Sequence, residues 1–95
     1  MSSSQQTVQE TTTDLPAADV LARAKSFFAN RPSLYSTFLD KEGPGFCSFR
    51  GQGGEEIIIA ASASPNGGTL VTGSTYLFDM QLSRFFTTLP PAAQR

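Results

Sequence analysis

Few residues in this chain have the types and spacing that chemistry requires. There is no histidine, and Cys47 is the single cysteine. Histidine is the commonest general base and a common metal ligand, so Ser-His and Cys-His nucleophile pairs cannot be assembled within one chain. The same shortage excludes a zinc site built from thiolate and imidazole. Cys47 lies in the run Phe46-Cys47-Ser48-Phe49, whose strand-like setting predicts a small buried hydrophobe, the usual state of a free cysteine. Carboxylate pairs need no histidine, but Glu55 and Glu56 are adjacent on an expected strand and point to opposite faces. Asp40 and Glu42 flank Lys41 in an expected loop, where turn formation and solvation account for them. A calcium loop would need further oxygen ligands at fixed spacing. The reading is a non-catalytic protein with no metal and no cofactor.

Two glycine-rich stretches resolve in the same direction. Gly51-Gln52-Gly53-Gly54 lacks the Gly-Lys-Ser/Thr ending of a phosphate loop, and it leads into a strand where a phosphate cradle needs the start of a helix. Asn66-Gly67-Gly68 reads as a hairpin turn, its glycines free to adopt positive φ. The run Gly45-Phe46-Cys47-Ser48-Phe49 is faintly similar to the aromatic strand on which RNA-recognition sheets stack bases. It lacks the basic residue before the glycine, and the order of elements differs.

Charge adds little. Seven basic and eight acidic residues give a net charge of −1, and they are scattered, so there is no basic face for nucleic acid or anionic lipid. A lone cysteine closes no intrachain disulfide, which points to a reducing compartment and a cytoplasmic location. The first residues have neither the basic start nor the apolar stretch of a signal peptide, and no run of about 18 apolar residues offers a membrane span. A host assembly attached to a membrane stays compatible with all of this.

The elements follow from periodicity. Residues 1–13 are nearly all Ser, Gln, Thr and Glu, with Val8 as the main apolar group after Met1, and are expected to be a tail that is disordered unless bound to a partner. A single α+β domain is expected over 14–91 and a short tail over 92–95. Ala17, Val20, Leu21, Ala24, Phe27 and Phe28 recur at helical spacing behind Pro16, and Arg31-Pro32 ends that helix. Four β-rich runs follow, near 33–40, 45–51, 55–62 and 69–76, separated by short turn clusters that dictate antiparallel hairpins. Phe78, Leu82, Phe85, Phe86 and Leu89 then return to helical spacing until Pro90-Pro91. The order α-β-β-β-β-α predicts a two-layer sandwich, a four-stranded antiparallel meander with both helices on one face.

Ile57-Ile58-Ile59 breaks the alternation of the sheet. Three successive isoleucines put apolar bulk on both faces, so either Ile58 or the Ile57/Ile59 pair points away from the helices. The expected partner surface is therefore Ile57, Ile58 and Ile59 with Tyr35 and Phe46, joined by Val8 from the tail. These features favour a small accessory or structural subunit of a larger multi-protein assembly, its partners being other protein subunits or a second copy of the chain. The alternative is a carrier of a small apolar ligand, with Phe27, Phe28, Phe49, Phe85 and Phe86 lining a pocket.

Overall fold

The computed structural model of the protein describes residues 7–29, 37–51, 56–65, 67–76 and 79–91. In chain order the elements are β1 (Thr7–Thr13), α1 (Ala17–Ala29), β2 (Thr37–Gly43), β3 (Phe46–Gly51), β4 (Glu56–Ala63), β5 (Thr69–Tyr76) and α2 (Asp79–Thr87). All strands belong to one antiparallel sheet in the order β1-β5-β4-β3-β2. Both helices pack on one of its faces, α1 over β2 to β4 and α2 over β5 and β1.

The meander β2 to β5 agrees with the sequence reading, but the sheet has five strands where four are predicted. The fifth is β1, from the polar run expected to be tail. It pairs in unbroken register with β5, Thr7 opposite Thr75 and Thr13 opposite Thr69. Its side chains alternate between the two faces, with Thr13 fully buried. Threonine is a good strand former, and its hydroxyl can be buried once it is hydrogen-bonded. Thr13 Oγ1 donates to the Pro90 carbonyl at 2.5 Å and accepts from the Leu15 N–H at 3.3 Å. Chain entropy is therefore offset by a β ladder and a polar clasp, neither of which shows as hydropathy.

Helix α1 starts where Pro16 stops being an obstacle, because a proline at the helix entrance costs no hydrogen bond. The Pro16 carbonyl accepts from the N–H groups of Asp19 and Val20 at 2.9 and 3.0 Å. Helix α2 ends on hydroxyls: Thr87 and Thr88 Oγ1 each donate to the carbonyl three residues back at 2.7 Å, and Pro90 follows. The β4–β5 hairpin turns through Gly67 and Gly68 at φ of 93° and 78°, a region that glycine enters at no steric cost.

The core lies between helices and sheet. Val20, Ala24, Phe28, Cys47, Phe49, Ile57, Ile59, Val71, Leu82 and Phe85 are all buried there. Phe28 is its hub, with ring centroids 5.0 Å from Phe27, 5.1 Å from Phe49 and 5.5 Å from Phe85. Such tilted and edge-on arrangements are those aromatic quadrupoles favour.

Candidate protein-protein interface

The pleat settles the direction of the isoleucine run. Ile57 and Ile59 are fully buried beneath the helices, whereas Ile58 lies on the opposite face and is partly exposed. Of the expected partner surface, Ile58, Phe46 and Val8 share that helix-free face. Ile57 and Ile59 are core residues and drop out of it. Tyr35 lies outside the described residues.

Strand register arranges the helix-free face in rows. One row runs Lys41, Ser48, Ile58, Ser74, Val8 from β2 to β1, and the next runs Gly43, Phe46, Ala60, Thr72, Glu10. On one side of these two rows Arg50 stands opposite Glu56, and on the other Ser62, Leu70 and Thr12 line up. Charges therefore sit at the perimeter, on Glu10, Lys41, Arg50 and Glu56. The centre is Ile58 and Phe46 among the small side chains of Ser48, Ala60, Thr72 and Ser74, with Leu70 in the end row beside them. Val8 is 63% exposed and Phe46 38% exposed. An uncharged centre with a polar rim is the usual anatomy of a protein interface. Glu10 and Lys41 are members of this surface that the sequence reading left out, since neither Glu10 as a strand residue nor the reach of β2 to Gly43 was foreseen. Alternation of Leu70 with Val71 was the available signal for Leu70.

The residues first suspected of chemistry are placed apart. Cys47 is buried under α1, and burial pushes its thiol up to about 11, with Lys25 pulling the other way. A thiol held protonated is a poor nucleophile. On the helix side of β2, Glu42 takes Lys25 of α1 in an ion pair at 2.5 Å, and its hydrogen bond raises the Lys25 pKa. Arg50 Nε donates to Asp40 Oδ2 at 3.2 Å across the bulge where β2 shifts register. Glu56 is partly buried in β4; Glu55 and residues 52–54 lie outside the described residues. Among the described residues no group of three or more His, Cys, Asp or Glu is placed to hold a metal ion, and no helix is long and apolar enough to cross a membrane.

Against protein-family models, curated proteins and solved structures, the chain shows no match.

Proposed function

We propose that this chain is a non-catalytic protein-protein interaction module, a small accessory subunit that docks on a protein partner, another subunit or a second copy of itself, through the helix-free face of its sheet. On this reading the domain is a two-layer sandwich whose uncovered sheet face is its working surface, and it acts in the cytoplasm without a cofactor. The observation that carries the reading is the segregation on that face: Ile58 and Phe46 in the inner rows, Glu10, Lys41, Arg50 and Glu56 at the rim. Interface cores are depleted of charge in just this way, while their rims keep it. The alternative of an apolar-ligand carrier finds less support, because the phenylalanines it needs touch one another at 5.0 to 6.2 Å between ring centres.

The test is the native size of the protein in a gentle extract of its source cells, by gel filtration with mass spectrometry of the co-eluting chains. Elution well above 10.2 kDa with reproducible companions, lost on Ile58→Glu, supports the reading. Elution as a free monomer with the wild-type chain overturns it.

A further inference from the structure

We propose that the helix-free face is covered by a second copy of this chain, in a two-fold dimer that stacks the two sheets face to face. This rests on the reading of that face as a docking surface and names its occupant. Ile58 stands on β4, the middle strand of the five, with Ser48 and Ser74 on either side of it in its row. A two-fold axis along β4 lays each row over itself with the strand order reversed, so β1 lies over β2 of the second copy and β5 over β3. Ile58 then meets the Ile58 of the second copy on the axis, and Phe46 lies over Thr72. The small side chains of Ser48, Ala60 and Ser74 leave room for the larger ones to interdigitate, as aligned sheets require.

Charge obeys the same symmetry. Lys41 ends the Ile58 row on β2, and Glu10 ends the adjacent row on β1; both are exposed. Reversing the strand order sets each Lys41 over Val8 of the other copy and beside its Glu10, so the opposite charges pair twice at the rim. Where Glu56 approaches its own copy at one end of the axis, Arg50 stands directly opposite it on β3 and is shared between Glu56 and the Asp40 it pairs with, so this end adds no attraction. A two-fold axis across the strands would instead lay β1 on β1 and β2 on β2 and create no such pair. The area suffices: five strands about 4.8 Å apart and about 24 Å long cover about 600 Å² per copy. The total of about 1,200 Å² reaches the lower bound of standard interfaces.

Sedimentation equilibrium of the full chain, from micromolar to near-millimolar concentration, tests this. The expected mass is twice 10.2 kDa, falling to the monomer in Ile58→Glu with unchanged far-UV circular dichroism. Lys41→Glu should raise the dissociation constant on the order of tenfold, since it turns two attractions into repulsions. Adding Glu10→Lys to Lys41→Glu should restore it, an outcome that misfolding cannot imitate. A wild-type monomer at every concentration overturns the proposal, as does a dimer that neither Ile58→Glu nor Lys41→Glu weakens. If the chain is monomeric but Ile58→Glu still strips companions from the native extract, the dimer falls while the docking reading stands. If neither association depends on Ile58, both fall.

Discussion

Ile57, Ile58 and Ile59 are chemically identical, and only the pleat assigns two of them to the core and one to the opposite face. Side chains at this scale owe their properties to position more than to type, and Cys47 is the clearest case. Burial lifts its thiol from an ordinary 9.0 to about 11. The folded chain therefore holds the Cys47 proton more tightly than the unfolded chain does. That contribution to stability is complete below about pH 9 and is lost as pH rises through about 11. Urea denaturation of the wild type should show stability falling across this interval, and in Cys47→Val the fall should be shallower. Alkylation of the native thiol at neutral pH should be much slower than in urea, because only the thiolate attacks and the native site excludes the reagent.

At the scale of elements, the seat of α2 on the sheet depends on a missing side chain. Leu82 of α2 is fully buried, and a Cβ built on Gly73 of β5 would occupy the space of its Cδ1, with Cδ2 and Cγ at 3.1 and 3.2 Å. Gly73→Val should therefore cost about 1 to 3 kcal/mol through overpacking. In a double-mutant cycle, Leu82→Ala should recover part of that loss, since it vacates the contested space; additive losses would contradict the contact. Both helices and the meander were legible in the sequence, because Val20, Leu21, Ala24 and Phe28 keep one helical stripe, and turn clusters such as Ser64-Pro65-Asn66-Gly67-Gly68 separate the strands. Strand β1 was not legible. Its inward side chains Thr7, Gln9, Thr11 and Thr13 are polar, and two of them are held by distant residues: Thr13 donates to the Pro90 carbonyl, and Gln9 Oε1 accepts from Ser83 Oγ of α2 at 3.2 Å. Nor could the sequence choose between Ile58 and its neighbours for the outer face, since either register buries isoleucine. That choice came from strand pairing, and with it came the rows that define the candidate interface.

Taken whole, the molecule is closed by a small polar knot joining distant parts of the chain. Thr13 reaches the Pro90 carbonyl, Thr69 Oγ1 of β5 donates to the Leu15 carbonyl at 2.6 Å, and Arg23 of α1 donates to the Thr88 carbonyl at 3.0 Å. An isolated bridge from Thr13 to Pro91 adds to it on the outer side of β1. Thr13→Val keeps the shape but strands the Pro90 carbonyl and the Leu15 N–H, so it should lower stability by about 1 to 3 kcal/mol in urea denaturation. How that loss divides between two rates follows from the separation of the partners. Thr13 and Pro90 lie 77 positions apart, and β1 reaches β5 only after the whole meander intervenes, whereas β2 to β5 join by short hairpins. Closing the longest loop is entropically the most expensive step and is rewarded last. The rate-limiting barrier to folding should then be crossed before β1 docks, so Thr13→Val should accelerate unfolding and leave the refolding rate nearly untouched in stopped-flow measurements. The edge strand that completes the sheet thus sets how long the native protein lasts once formed, while the hairpins set how quickly it forms.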